Sequence, residues 1–136
     1  FDLPKPKNYN DMLNMIGMSS CYSPNPSGLK SKGYNFDLPY DVNTGELDEK
    51  VFNIWLTYDP VRMVKKYLKN LKKLKLIYVD AGIRDEYNLY AGARIFCEKL
   101  KRNKIKFIHE EFDAGHMNIP YRYDRVFEII SKHINS

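Results

Sequence analysis

The chain predicts an α/β fold built on a parallel sheet of about three strands with flanking helices, on three observations. Its second half alternates stretches of strand length with amphipathic stretches of helix length: Leu74–Val79, Asn88–Arg102, Ile105–Phe112, then Tyr121–Ile134. Strand, helix, strand, helix at these lengths makes a parallel sheet with right-handed crossovers. A short apolar run, Met12–Ser19, supplies a further buried strand. Finally, an acid and a histidine, Asp85 and His116, each fall just past a predicted strand, and α/β folds gather their chemistry in loops at the carboxyl ends of parallel strands.

Taken in order, residues 1–10 are rich in Pro, Asn and Lys and read as a tail or loop. The Met12–Ser19 run carries Met12, Leu13, Met15, Ile16 and Met18, a composition suited to a central strand. Residues 21–47 read as a long surface loop, because Pro24, Asn25, Pro26, Ser27, Gly28 and Gly33 punctuate its first part. Within Asp48–Tyr58, residues Val51, Ile54, Trp55 and Tyr58 share one helical face. Asp59-Pro60 follows, an aspartate cap with proline at the first helical position, and opens a helix to about Lys72. On the Asn88–Arg102 helix the inner face is Leu89, Ala93, Phe96, Cys97 and Leu100; on the last helix it is Val126, Phe127, Ile130 and Ile134.

Composition narrows the function classes. The 136 residues are 43% hydrophobic, 14% aromatic and 29% charged, a globular balance rather than a disordered one. No apolar run approaches the length of a membrane span and no signal-peptide pattern opens the chain, so no membrane partner is expected. The chain begins at Phe1 without an initiator Met, as a processed, truncated or cleaved product would. Cys21 and Cys97 are the only cysteines and lack metal-ligand spacing, so two buried thiols in a reducing, cytoplasmic setting are expected, with neither a disulfide framework nor a metal.

The net charge is +5, and much of the positive excess lies between Arg62 and Lys75. Lys65, Lys66, Lys69, Lys72 and Lys73 alternate there with Val61, Val64, Leu68 and Leu71 at helical spacing. That pattern describes the wet side of an amphipathic helix. A phosphate-binding stripe is the competing reading, and the solvated face is preferred to it.

The candidate chemistry sits in two loops. Asp85 lies in Ala81-Gly82-Ile83-Arg84-Asp85-Glu86-Tyr87, and His116 in Phe112-Asp113-Ala114-Gly115-His116. An acid after one strand and a histidine after the next match the closing half of a Ser-Asp-His hydrolase triad. The nucleophile of that arrangement precedes both, on a Gly-x-Ser-x-Gly turn, and no such pentapeptide occurs here. Ser19 is the tempting substitute, in Gly17-Met18-Ser19-Ser20-Cys21, one residue short of the pattern. A nucleophile turn must be followed at once by a helix, whereas Pro24 and Pro26 follow here, which argues against Ser19, Ser20 and Cys21 alike. Asp85 has a bland alternative as a helix cap. Glu86 competes for the acid role and Asp80 reads as a strand-end residue; His109, inside a strand, and His133, near the terminus, are not favoured as the base. Tyr87, Tyr121, Arg122 and Tyr123 flank the two loops, either shaping a pocket or covering surface.

Several segments together resemble the esterase family of the α/β-hydrolase superfamily, the group related to esterase D and enterochelin-esterase-like enzymes. They are Phe36-Asp37-Leu38-Pro39, Thr44-Gly45-Glu46-Leu47, Trp55-Leu56-Thr57-Tyr58-Asp59-Pro60, the Ala81–Tyr87 loop, and Glu110-Glu111-Phe112-Asp113-Ala114-Gly115-His116. The resemblance spans about Met12 to Ile134. It implies that the chain is the parallel-sheet carboxy-terminal half of an α/β-hydrolase fold, with Asp85 orienting the base and His116 serving as that base. It implies a serine-type carboxylic ester hydrolase acting on a small-molecule ester, without cofactor. The nucleophile and oxyanion donors would come from a missing amino-terminal half of the same domain, so the isolated chain is expected to be inactive. Two further readings stand beside this one: a non-catalytic interaction domain derived from a hydrolase fold, and a basic nucleic-acid-binding module. An apolar strand edge would also permit pairing with another chain, including a homo-oligomer. For the site itself, the Asp85 carboxylate is expected within hydrogen-bond reach of the His116 ring.

Overall fold

The computed structural model describes residues 7–134. The chain divides between Asp59 and Pro60 into two compact units.

The first unit is helical. Helix α1 spans Tyr9–Tyr22, α2 Gly28–Lys32 and α3 Glu49–Leu56. The strand expected at Met12–Ser19 is therefore part of a helix. An apolar run of this length is compatible with either state. Here the residues themselves decide: Met12, Leu13, Met15 and Met18 are unbranched at Cβ and lose little rotamer freedom in a helix, and Asp11 sits in the first turn, where the helix dipole favours an acid. Ser19 is the buried residue of α1, while Met12, Leu13, Ile16 and Met18 are exposed. Of the predicted tail, residues 1–6 lie outside the described residues, and Tyr9 and Asn10 belong to α1.

Residues 21–47 are not simply a surface loop. Cys21 and Tyr22 finish α1, α2 follows, and isolated antiparallel bridges join Pro24 to Phe36 and Tyr40 to Leu47. Ser23, Gly28, Phe36 and Pro39 are buried along the way. The Ser23 hydroxyl ties the segment down: it accepts the Trp55 indole N–H at 2.8 Å and donates to the Asp37 carbonyl at 2.6 Å. A buried indole N–H needs such a partner, and a short hydroxyl supplies it. Helix α3 begins as the sequence predicts, with Asp48 as N-cap accepting from the Val51 amide at 3.0 Å. Val51 and Trp55 are buried, while Ile54 and Tyr58 of the same expected face are exposed. Tyr22 packs edge-on to Trp55 and stacks on Tyr58. Cys21 is exposed, contrary to the expectation of a buried thiol, and Cys97 is buried.

The second unit carries the sheet. Helix α4 spans Pro60–Lys66 and α5 Leu68–Leu71, with an interruption at Tyr67 in what the sequence predicts as one helix. Strand β1 covers Tyr78–Gly82, helix α6 Leu89–Arg102, strand β2 Ile108–Phe112 and helix α7 Arg122–Ile134. The strands pair in parallel, Tyr78 opposite Ile108 through Gly82 opposite Phe112. Among the described residues the sheet has two strands rather than three, because the expected third is α1. Both strands begin three or four residues later than expected. The preceding apolar residues Ile77, Ile105 and Phe107 serve the helical core instead, packing with Val64, Leu68, Leu71, Phe96 and Leu100. The lysines at 65, 66, 69, 72, 73 and 75 are all exposed, on the solvent side of that packing.

On α6 the expected inner face holds except at Leu89, which is exposed. Helix α7 keeps Val126 and Ile130 of the expected face but is rotated away from Phe127 and Ile134. Ile129 is its buried residue, with Arg122, Val126, Ile130 and His133 partly buried beside it, whereas Phe127 is 65% exposed and Ile134 lies outside as well. The spacing 122, 126, 129, 130, 133 is one helical stripe, and it contains a charged residue.

That residue explains the rotation. Arg122 bonds across both strands, with Nε to Asp80 at 3.1 Å and a terminal nitrogen to Glu110 at 2.9 Å and to the Tyr78 hydroxyl at 2.8 Å. Its guanidinium also lies over the Phe112 ring, 4.5 Å from the centroid. Arg125 adds a second clamp on Glu110. Tyr78, Asp80, Glu110 and Phe112 project from one face of the sheet by strand alternation, so α7 docks there through ion pairs as well as apolar contact. Hydrogen bonds from Arg125, then Arg122 and Tyr78, outweigh the burial of Glu110 and hold its carboxyl at about 2. Burial, then the bond to Glu110, pushes the Tyr78 phenol up to about 12.

Candidate active site

The two candidate loops leave β1 and β2 side by side because the strands are parallel neighbours. Backbone bonds then bind one loop to the other: the Ile83 amide donates to the Phe112 carbonyl at 2.9 Å and the Arg84 amide to the Ala114 carbonyl at 3.0 Å. The Arg84 side chain adds a bond to the Asp113 carbonyl at 3.0 Å and an ion pair with its carboxylate at 2.8 Å. The approach needs glycine at position 82. A Cβ there would overlap the Ala114 carbonyl oxygen and lie 2.8 Å from that of Gly115, both main-chain atoms with no freedom to swing aside.

Beyond Gly82 the chain turns tightly. The Asp85 amide donates to the Gly82 carbonyl at 3.2 Å and the Asn88 amide to the Asp85 carbonyl at 3.0 Å. Asn88 is the N-cap of α6 and takes the left-handed conformation at φ 57°, which asparagine tolerates better than most residues. This turn aims Asp85 inward, leaving the residue only 7% exposed. One carboxylate oxygen accepts the Tyr87 amide at 2.7 Å, and the other lies 2.9 Å from His116 Nδ1. Asp85 thus performs both tasks that the sequence sets against each other, steadying the start of α6 and holding the histidine. Burial pushes the Asp85 carboxyl up, but hydrogen bonds from His116 and from the Tyr87 and Leu89 amides outweigh it, and the net shift is downward. The group is therefore an anion at neutral pH.

His116 is fixed on three sides. Asp85 holds Nδ1, Tyr87 lies edge-on to the ring with centroids 5.0 Å apart, and the His116 amide donates to Glu86 Oε2 at 2.9 Å. The side chain keeps 35% of its surface exposed, and Nε2 has no hydrogen-bond partner among the described residues. A carboxylate on Nδ1 favours the tautomer with its proton on that nitrogen, leaving Nε2 as a basic lone pair. Such an imidazole can take a proton from a hydroxyl or water and return it to a leaving group.

The other named residues fall elsewhere. Glu86 meets the main chain of His116 rather than its ring. Asp80 and Arg122 are joined in the ion-pair network on the sheet face, so Arg122 does not shape a pocket beside His116. Tyr121 and Tyr123 are exposed, with Tyr121 edge-on to Phe112 and Tyr123 against Phe127. His109 sits within β2, 3.8 Å from Glu111, and His133 bonds back to the Ile129 carbonyl. Ser19 is wholly buried in α1 and its hydroxyl is unpartnered, which suits no nucleophile. Two features of the site lie beyond the sequence reading: the Glu86 anchor and the Gly82 approach. The signal for both was present as the pair of motifs Gly-Ile-Arg-Asp-Glu and Asp-Ala-Gly-His, but only the pairing of the loops gives it meaning.

Among the described residues no group of three or more His, Cys, Asp or Glu side chains is arranged to hold a metal ion. Among the same residues no helix is long and apolar enough to cross a membrane. No protein-family model matches the chain, and no curated protein matches it.

Proposed function

We propose that Asp85 and His116 are the acid and base of a serine-type carboxylic ester hydrolase whose nucleophile lies on polypeptide outside these 136 residues. The observation that carries the reading is the 2.9 Å bond from a buried carboxylate to His116 Nδ1 at the carboxyl ends of two adjacent parallel strands. That bond supports the reading, because the acid and base of a triad are joined in the same way. The fold would be the carboxy-terminal part of an α/β-hydrolase domain, and free cysteines at 21 and 97 favour a cytoplasmic setting.

In the proposed reaction, His116 Nε2 takes the proton of a serine hydroxyl as its oxygen attacks the ester carbonyl. The tetrahedral intermediate collapses, and the same nitrogen returns the proton to the departing alcohol, leaving an acyl-enzyme. Water then attacks, His116 accepts its proton, and the acid is released as the serine is re-protonated. Asp85 stays ionised throughout and stabilises the imidazolium. The substrate is a small carboxylic ester.

The test is hydrolysis of p-nitrophenyl acetate by this chain mixed with the polypeptide encoded immediately upstream. Activity is expected from the mixture, none from this chain alone, and none from a mixture carrying His116→Ala. Activity from this chain alone, or an upstream region without a Gly-x-Ser-x-Gly turn, would overturn the reading.

A further inference from the structure

Consecutive carboxylates, Asp85 and Glu86, grip the same histidine at different points. Asp85 holds the ring through Nδ1 at 2.9 Å, and Glu86 Oε2 holds the main chain through the His116 amide, also at 2.9 Å. The Glu86 carboxylate lies close against the preceding residue, Gly115. A Cβ on Gly115 would stand 2.7 Å from Glu86 Oε1 and 3.1 Å from Oε2, so the glycine leaves room for the acid. We propose that Glu86 is a positioning residue that locks the His116 main chain so that Asp85 can fix the direction of Nε2. The proposal rests on the catalytic reading of the Asp85–His116 pair for its purpose, though not for its geometry.

The physical need is specific. A single bond from Asp85 to Nδ1 leaves the ring free to pivot about that contact, and a misplacement of about 1 Å in a reacting group costs on the order of 100-fold in rate. Holding the main chain as well removes the pivot, because the ring is then fixed at its root and at one edge. Glutamate reaches the amide because residues 85 and 86 occupy the same tight turn and the Arg84–Ala114 bond keeps the two loops in register. An amide donating to a carboxylate is a charge-assisted bond. It also holds the Glu86 carboxyl below its ordinary value: the His116 amide is the largest cause, and Glu86's own amide adds to it. Any acceptor of similar length would serve in this role. Glutamine keeps a carbonyl oxygen and should substitute, whereas alanine should not.

The experiment uses the chain labelled with nitrogen-15 in five forms: wild type, Glu86→Ala, Glu86→Gln, Gly115→Ala and the Glu86→Ala,Gly115→Ala double variant. Two signals are read, amide hydrogen exchange at His116 and the downfield resonance of its Nδ1 proton. In Glu86→Ala the His116 amide should exchange about three- to tenfold faster, as expected when a bond to a charged acceptor is lost at a partly exposed site. The Nδ1 proton signal should broaden. Glu86→Gln should restore both, and Gly115→Ala, which pushes the carboxylate off the amide, should behave as Glu86→Ala does. A Glu86→Ala,Gly115→Ala double variant should be no worse than the single Glu86 variant. Unchanged exchange and an unchanged Nδ1 signal in Glu86→Ala would overturn the proposal, whatever the enzyme does. Failure of the catalytic reading has a different signature: no hydrolysis of p-nitrophenyl acetate by the wild-type chain mixed with its upstream polypeptide, while both signals still respond to Glu86→Ala.

Discussion

Gly82 and Ala114 come so close that the first has no room for a side chain. This contact sets the separation of the two candidate loops, since the Ile83 and Arg84 amides beside it carry the bonds that bind one loop to the other. Substituting Gly82→Ala should force the main chain apart and cost about 1–3 kcal/mol, the range for overpacking a tight site. Urea denaturation followed by circular dichroism measures the loss. The Asp85–His116 bond should weaken in the same variant, visible as a change in the His116 ring signals.

Asp85→Asn separates charge from shape. Asparagine can still accept the Tyr87 amide that Asp85 accepts at 2.7 Å, so the turn before α6 should persist. The anion is lost, however, and the ring is no longer held in its working tautomer. If the proposed ester hydrolysis is reconstituted with the upstream polypeptide, its kcat should fall on the order of 10⁴-fold, as such replacements do in triads, with little change in the denaturation midpoint.

Acid should loosen the sheet face through Glu110. Its folded value of about 2 lies below its ordinary 4.5, so its contribution is fully present above 4.5 and is lost as pH falls from there toward 2. Tyr78 works in the other direction: raised from 10.0 to about 12, it favours the fold below 10.0, and that advantage disappears as pH climbs toward 12. Glu110→Gln should flatten the acid limb of a stability–pH curve, and Tyr78→Phe the alkaline limb. A curve for Glu110→Gln that still falls steeply between 4.5 and 2 would assign acid sensitivity to other carboxylates.

Trp55→Phe should cost at least about 1 kcal/mol, the net worth of one neutral hydrogen bond, with the space left by the smaller ring at a buried site adding to it. The Ser23 hydroxyl keeps its own bond to the Asp37 carbonyl, which limits the hydrogen-bond part of the penalty. Chemical denaturation monitored by circular dichroism gives the difference.

The exposed lysines of α4, α5 and the following turn should behave as a solvated face. The chain should wash from an oligonucleotide column at low salt. Retention falling steeply with added salt would instead mark a phosphate-binding stripe.

The second half of the fold was largely legible in the sequence. Pro60 opens α4 as its residue type requires, and the alternation after Leu74 yields the parallel pair. Met12–Ser19 was not legible, because an apolar run bounded by turn residues has no period that separates strand from helix; its unbranched side chains carried the better signal. The face of α7 was misread in part, at Phe127 and Ile134, for another reason. Counting only apolar residues selects Phe127 and Ile134, while the true stripe includes Arg122, whose partners Asp80 and Glu110 lie on two other elements. At the candidate site, the pairing of Asp85 with His116 was legible from motif and order. Glu86 was not, since its role depends on a main-chain amide thirty positions away.

Trp55, the single tryptophan of the chain, stands against Ser23 with Tyr22 at its edge, inside the unit that ends at Asp59. Nature has therefore fitted this polypeptide with one ultraviolet beacon, and a change in its emission upon denaturation reports on the surroundings of Trp55 in that unit. Comparing its melting trace with the His116 ring signals would tell whether the halves come undone together or in turn.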